Sequence, residues 1–403
     1  MHPRVRAALQ YVRGCFTLGG LYTLFLALAM LTTGTINTIT TKLQDVSNAK
    51  GIGDGPPTAF QHAFFQTAAM FLGELLCLIP HNIQLLYYKI KGKKTKEEES
   101  SDDDTAFVER KPKPFTNPLI FWIPACCDLG GSTLLNFGLF YTDASVYQML
   151  RGILVVFTGL LSVIFLKARL YYHHWAGLCC IVIGCVLVGL SSVLYKTESG
   201  TARSPLLGDV LVILAQILAA IQFVVEEKFF SRYEVAPLQA VGWEGYWGLS
   251  MTTIVLFVLY WIPGSDYGSV ENAVYAFAQC INNWKIAAST LGSVFSIAFF
   301  NFFGVSITKR ISSTTRSTID SCRTIFIWAI SLIIGWEEFH WLQVGGFAVL
   351  LLGTSLYNEI IKIPKYHSWY LKRKELYLEE RKRKEEEKRQ REEEKKQRRR
   401  NIQ

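Results

Sequence analysis

Apolar residues run along this chain in ten stretches of spanning length, at about 20–42, 62–88, 117–141, 144–167, 172–195, 207–230, 240–262, 285–308, 313–336 and 341–361. A hydrocarbon core of about 30 Å takes about 20 residues of helix to cross. Each run is too long and too evenly apolar for the alternating pattern of an outer-membrane barrel strand. The pattern predicts an all-α membrane protein of ten transmembrane helices, with little chain left for a soluble domain.

Polar landmarks inside the runs recur in order. Lys42, after Thr40 and Thr41, closes the first stretch, and Lys228, after Glu226 and Glu227, closes the sixth. Glu74 interrupts the second and Glu244 the seventh, while Asn136–Phe137 falls in the third and Asn301–Phe302 in the eighth. Small or polar residues followed by charge open the fourth (Ala144, Ser145, Arg151) and the ninth (Ser312, Ser313, Arg316, Asp320, Arg323). Gly177 and Gly184 in the fifth match Gly346 and Gly353 in the tenth at the same spacing. Five is odd, so a second copy of a five-helix unit enters the bilayer from the opposite side. The expected organisation is two inverted repeats, 20–195 and 207–361, the plan of secondary transporters that bind solute at the midplane.

Composition changes this picture only at the ends. Half of the chain is apolar, and nearly all of its formal net charge of +9 lies from Lys362 to Gln403. The body is close to neutral, which argues against a nucleic-acid partner. Arg4, Arg6, Arg13, the lysines from Lys89 to Lys96, Lys167, Arg169, Arg232, Lys309 and Arg310 fall on one predicted side together with both termini. Positive charge marks that side as cytosolic. Residues 1–19 then form a cytosolic N-terminus, and the run from Gly20 is too long for a cleaved signal, so it reads as a retained anchor. The loop 89–116, with its charge-blocked centre 91–114, reads as a disordered cytosolic linker. Residues 362–403 form a charged tail, helical or disordered, whose Glu-to-base pairs four apart favour a solvated helix. Segment 47–58, rich in Gly and Pro, reads as loop. The cysteines show no metal or redox spacing, and Cys15 and Cys280 fall on opposite predicted sides. No phosphate loop, metal-ligand cluster or nucleophile arrangement occurs, so no enzyme, cofactor or metal is expected.

A charge at the bilayer centre costs at least about 2.5–3.5 kcal/mol, so charges inside spans mark function or pairing. Arg316, Asp320 and Arg323 are spaced four and three apart and share one helical face. Arg323 lies about 16 Å into its span at about 1.5 Å per residue, near the midplane. Asp320 is expected to neutralise one of these two arginines. The surplus charge should face a wet cavity and suit an anionic group, which a guanidinium grips in a fork. Arg151, one turn from Tyr147, is the counterpart in the first repeat. Arg151, Tyr147, Arg316, Asp320, Arg323, Asn136 and Asn301 are therefore the candidate solute-binding residues. The rival reading is a structural ion-pair network pinning helices together.

Glu74, Glu244 and Asp128 are candidates to carry a coupled proton. Glu74 and Glu244 equally suit hydrogen-bonded packing contacts. Asp128, beside Gly130 and Gly131, marks a place where the third helix is expected to be flexible or broken. Glu226, Glu227 and Lys228 are placed at the cytosolic edge, reaching into headgroups. The glycine faces of the fifth and tenth spans suit close helix packing or dimerisation.

The stretches TGTINTITTK, AAMFLGELLCL, YQMLRGILVVFTGLLSVIFL, IQFVVEEKF, SIAFFNFFGVSITK and STTRSTIDSCRTIFIWAISL resemble the F branch of solute carrier family 35, in the drug/metabolite transporter superfamily. The resemblance runs from about Thr32 to Asn358, apart from the charged loop. It implies two inverted five-helix repeats around a central cavity, with helices five and ten peripheral and often at a homodimer contact. It also implies a small-molecule solute in a lysosomal membrane, with Golgi or mitochondria as alternatives. The wider family includes nucleotide-sugar antiporters, whose FYNN and GALNK signatures are absent from this chain. It also includes the chloroquine-resistance transporter, which would imply a cationic or peptide-like solute held by Glu74, Asp128 and Glu244. A membrane scaffold working through the cytosolic loop and tail is the rival from another class. The expectation is a secondary transporter of a small anionic organic solute.

Overall fold

Backbone N–H and C=O groups in a lipid environment must be satisfied within the segment itself, and long apolar runs do so as helices. In a computed structural model, the residues described are 18–52, 56–95, 113–114, 117–142, 144–194, 204–264, 268–334, 341–357 and the single residue 383. The readings for the extreme N-terminus, the centre of the charged linker and the tail lie outside these residues. Helices occupy every apolar stretch: α1 (Leu18–Asp45), α2 (Ala63–Leu76), α3 (Leu78–Thr95), α4 (Trp122–Tyr141), α5 (Ala144–Leu150), α6 (Leu154–Phe165), α7 (Tyr172–Leu194), α8 (Pro205–Phe230), α9 (Pro237–Trp261), α11 (Trp284–Arg310), α12 (Ser313–Ile334) and α13 (Trp341–Tyr357). A further helix, α10 (Ala273–Asn282), lies in the loop before α11. Two short strand pairs complete the description. β1 (Asn48–Ala49) pairs antiparallel with β2 (Thr58–Ala59), and β3 (Lys113–Pro114) pairs parallel with β4 (Tyr233–Glu234).

Six helices among the described residues are long and apolar enough to cross a membrane: α1, the α2–α3 run as far as Tyr87, α4 with its preceding turn, α7, α8 and α11. Four stretches fall short for local reasons, the seventh because α9 opens with a polar and glycine-rich half around Glu244. α12 carries three charges, α13 is described over 17 residues, and the fourth stretch is split in two. Polarity is distributed inside-out relative to a water-soluble protein. Ile333, Trp341 and Trp284 are 84%, 80% and 75% exposed, whereas Arg316 is the largest fully buried side chain. An apolar exterior over a charged interior fits a lipid surround. The chain is a multi-pass membrane protein.

Local sequence explains the breaks. α2 ends at Leu76 because Pro80, in the first turn of α3, has no N–H to offer the Leu76 carbonyl. In the fourth stretch a 3₁₀ turn, Arg151–Ile153, interrupts the helix between α5 and α6. A mid-helix 3₁₀ turn often marks a hinge. The break expected at Gly130–Gly131 is absent. There α4 is continuous, and the glycines let α8 approach, with Leu218 and the Ala215 carbonyl at their faces. Hydroxyls in α1 are silenced by bonding back along the helix, as in Thr33 to the Ala29 carbonyl (2.7 Å) and Thr35 to the Leu31 carbonyl (2.7 Å).

The most extensive packing joins α7 with α13, α1 with α11, α4 with α8, and α2 with α9. Glycines set the first of these. A Cβ on Gly353 would meet the Gly177 carbonyl and the Ile181 nitrogen at 2.7 Å, and one on Gly184 would meet the Leu350 nitrogen at 2.7 Å. The glycine faces of the fifth and tenth stretches thus pack against each other within one chain. A second copy would have to meet their outer faces.

The two described ends of segment 47–58, read from sequence as loop, are pinned by long-range bonds. Gln279 of α10 donates to the Ala49 carbonyl (3.2 Å) and to both the carbonyl (3.2 Å) and hydroxyl (3.0 Å) of Thr58. Its own carbonyl oxygen lies 3.1 Å from His62 Nε2. This clasp ties the α9–α11 connection to the α1–α2 connection.

Candidate functional site

The site is organised by α12. Its first turn is held by Ser312, whose hydroxyl accepts from the Thr315 N–H (3.1 Å), and by Glu227, which accepts from the Ser313 N–H (2.6 Å). From that anchored start, the spacing of Arg316, Asp320 and Arg323 directs all three toward a cavity of about 130 Å³ at the centre of the bundle. Tyr147, Arg151, Asp128, Asn136 and Asn301 also line it. Every predicted solute-binding residue therefore borders one space. Of the predicted proton carriers, Asp128 borders it as well, while Glu74 and Glu244 lie behind its wall.

Arg316 forms a sealed pair. Its Nη1 lies 2.6 Å from Glu226 Oε2, with both side chains at most 2% exposed. Its Nη2 donates to Asn301 Oδ1 at 3.3 Å, and its guanidinium stacks over the Phe223 ring at 3.8 Å. Gly304 makes room, since a Cβ there would meet Arg316 Nε at 2.7 Å. Asn301 passes the contact on by donating to Glu74 Oε1. Glu244 sits behind this chain, 3% exposed, with Oε1 lacking a protein partner. It lies within electrostatic reach of Glu226, Glu74, Asp128 and Arg316.

Glu226 is the main correction to the sequence reading. Its position at the end of an apolar run places it among headgroups, yet it is fully buried as the partner of Arg316. The signal that reveals it is helical spacing. Gln216, Ala219, Gln222, Phe223 and Glu226 fall on one face of α8. Gln216, Gln222 and Phe223, unremarked in the sequence, line the cavity.

Asp320 serves two arginines, neither of them Arg316. Its Oδ1 lies 3.0 Å from Arg323 Nη2, and its Oδ2 lies 3.4 Å from Arg151 Nη2. Arg323 also donates to the Gly34 carbonyl at 3.1 Å and lies over the Phe300 ring at 4.9 Å, and like Arg316 it leaves its Nε without a protein partner. Arg151 is held loosely. Its remaining bond, to the Tyr147 hydroxyl, is 3.5 Å long, its Nε has no protein partner, and its side chain is 17% exposed. The surplus positive charge expected on α12 therefore resides on Arg151, at the 3₁₀ break. Asn136 donates to the Ala63 carbonyl (3.2 Å) and the Thr67 hydroxyl (3.1 Å), tying α4 to α2. No three-residue group able to hold a metal occurs among the described residues.

A buried, charge-lined cavity at the centre of a lipid-facing helical bundle is the arrangement of a carrier rather than of an enzyme. Comparison with known proteins agrees. The EamA-like transporter family matches residues 105–190. Solute carrier family 35 member F6 of Homo sapiens is 45% identical over 343 residues, covering 84% of this chain and 89% of that protein. The chain belongs to solute carrier family 35. It is a membrane transporter and not an enzyme, like the members of that family. An uncharacterised protein of Schizosaccharomyces pombe is 32% identical over 345 residues, covering 85% of this chain and 99% of that protein. More distantly, CMP-sialic acid transporter 4 of Arabidopsis thaliana is 20% identical over 270 residues, covering 66% of this chain and 70% of that protein.

Proposed function

We propose that this family 35 transporter is a secondary carrier that moves a small organic solute across an intracellular membrane, gripping it by an anionic group. The observation that carries the reading is Arg151. Among the described residues it is the cavity arginine with the most exposed side chain, 17% against 2% and 3% for Arg316 and Arg323, and it shares a single carboxylate with Arg323. Arg316 and Arg323, being sealed, shape the cavity and set its potential. Asp320 positions Arg151 and releases it when a solute anion takes its place.

Transport proceeds by alternating access of two inverted five-helix halves, 20–195 and 207–361. The packing supports this, because an exchange of halves maps the α1–α11 contact onto α8–α4 and leaves α2–α9 and α7–α13 as pairs of counterparts. The 3₁₀ turn at Arg151 supplies a hinge at the site itself. Glu74 and Glu244 carry a coupled proton, a role supported by their burial, each with one oxygen lacking a hydrogen-bond partner and without a cation in ion-pair contact among the described residues. Charge asymmetry supports cytosolic termini, and family resemblance supports a lysosomal membrane.

The likeness to CMP-sialic acid transporters favours a nucleotide-sugar solute as a second reading. Against it stand a cavity of about 130 Å³, below the ~300–1,000 Å³ of pockets for drug-sized ligands, and the absent FYNN and GALNK signatures. Uptake of a mixed metabolite pool by proteoliposomes, read by mass spectrometry, tests the proposal. The intact chain should accumulate anionic metabolites that Arg151→Gln does not. Equal accumulation by both, or none above empty vesicles, would contradict it.

A further inference from the structure

Five charged side chains border the cavity: Asp128, Arg151, Arg316, Asp320 and Arg323. Three are closed off, with Arg316, Asp320 and Arg323 only 1%, 5% and 2% exposed. The remaining two are partly open to the cavity, and they have opposite signs. Arg151 projects from the 3₁₀ break on one wall. Asp128 projects from α4 on another.

Each of the two is short of a counterion. Arg151 has only the second oxygen of Asp320, at 3.4 Å, whose first oxygen already faces Arg323 at 3.0 Å. Among the described residues Asp128 has no cation within ion-pair distance, and Arg316, which acts on it electrostatically, is already paired with Glu226. Its oxygens accept from the Ser132 hydroxyl (2.9 Å) and the Gln222 amide (3.3 Å), both neutral donors that steer the carboxylate and leave lone pairs free. Neutral hydrogen-bonding groups facing the same space repeat the pattern. Gln216 Nε2 is a buried donor and Gln66 Oε1 a buried acceptor, and neither atom has a protein partner.

We propose that the cavity takes a dipolar solute of the α-amino-acid type, its carboxylate on Arg151 and its ammonium group on Asp128. This rests on the reading above, that the cavity carries a solute by its anionic group, and adds a second pole to it. A simple anion would meet Arg151 but bring like charge toward Asp128, and a simple cation would do the reverse. A zwitterion satisfies both walls and leaves the net charge of the buried cavity unchanged, so its binding leaves no charge uncompensated in low dielectric. Small size is consistent with a cavity of about 130 Å³.

The test uses proteoliposomes of the full chain and two isotopically labelled probe sets, the standard amino acids and the matching 2-hydroxy acids. The second set keeps the carboxylate and side chain and replaces ammonium by hydroxyl. A hydrogen bond to a charged group is worth about 1.5–3 kcal/mol, so the intact chain should favour amino acids by about 10- to 100-fold. Asp128→Asn, which keeps the shape and one of the two accepted bonds while removing the charge, should bring that ratio close to one. Arg151→Gln should lose both sets. Folding of each variant is checked by the thermal midpoint of the purified protein without solute, which should match that of the intact chain; added amino acids should raise the midpoint of the intact chain and not that of Asp128→Asn. Equal uptake of the two sets by the intact chain, or an unchanged ratio in Asp128→Asn, would overturn the second pole while leaving anion recognition standing. Uptake of other organic anions but of neither set would also overturn it. No accumulation of any anionic metabolite would instead sink the underlying carrier reading.

Discussion

Replacing Glu226 by Gln removes one charge of an ion pair that is sealed from solvent, with Nη1 of Arg316 only 2.6 Å from the carboxylate. Breaking a buried pair by neutralising one member costs about 3–5 kcal/mol, because the other charge is left uncompensated. Gln retains an oxygen that can still accept from Nη1, so Glu226→Gln should fall near the lower end, about 3 kcal/mol, and Glu226→Ala nearer the upper. Arg316 keeps Asn301 and Phe223 in both Glu226 variants, and the Arg316→Met arm of the cycle subtracts the loss of those contacts from the coupling. The double variant Glu226→Gln with Arg316→Met replaces the pair by neutral groups of similar volume and should recover most of the loss. Equilibrium unfolding of the purified chain in mixed micelles, run as a double-mutant cycle, reads the coupling directly. The expected coupling is on the order of 3 kcal/mol. If both single variants lie within about 0.5 kcal/mol of the intact chain, the range of ordinary surface changes, then Glu226 sits among headgroups and the reasoning fails.

Other consequences follow from the same geometry. Gly353→Val forces a side chain against the backbone of α7 at 2.7 Å and should lower stability by about 1–3 kcal/mol in a thermal unfolding assay. Gly345→Val, where an added Cβ meets nothing within 4 Å, is its neutral control. Gln279→Leu removes the side-chain donor from the Ala49 and Thr58 carbonyls, which keep only their β1–β2 pairing, so the clasp should weaken by about 0.5–1.5 kcal/mol per bond lost and the connection between α1 and α2 should become a site of limited proteolysis. Glu74→Gln and Glu244→Gln should abolish acceleration of uptake by a proton gradient while leaving exchange at equal pH intact. Full gradient dependence in both variants would remove those carboxylates from the coupling step.

The helices were legible because the apolar runs are long and only sparsely interrupted by polar residues, and most observed helix ends fall within a few residues of the predicted ones. The face carrying Arg316, Asp320 and Arg323 was legible for a similar reason, since spacings of four and three admit one helical geometry. What the spacing could not supply was pairing. Nothing local in α12 says that Asp320 turns to Arg151 rather than Arg316, because Arg151 is 169 residues away in sequence. Glu226 was misplaced for a different reason, since Glu226–Glu227–Lys228 at the end of an apolar run looks like a headgroup edge. The cluster in fact divides. Glu226 turns inward to Arg316, Glu227 caps α12, and Lys228 lies over the Phe165 ring at 5.8 Å. The clasp at Gln279 and His62 was invisible, being built from single polar residues more than 200 positions apart. The 3₁₀ turn at Arg151 had only Gly152 as a sign.

Trans-stimulation tests the carrier account most directly. Vesicles holding the intact chain are loaded with an isotope-labelled metabolite pool, and efflux is followed with and without the unlabelled pool outside, at equal pH on both sides. A carrier that alternates around one site returns faster when loaded than when empty. Efflux of the transported anions should therefore quicken when the unlabelled pool is present, and Arg151→Gln should abolish both efflux and stimulation. Label that leaves at one rate whatever stands outside, or equally through the intact chain and the variant, would contradict alternating access around Arg151.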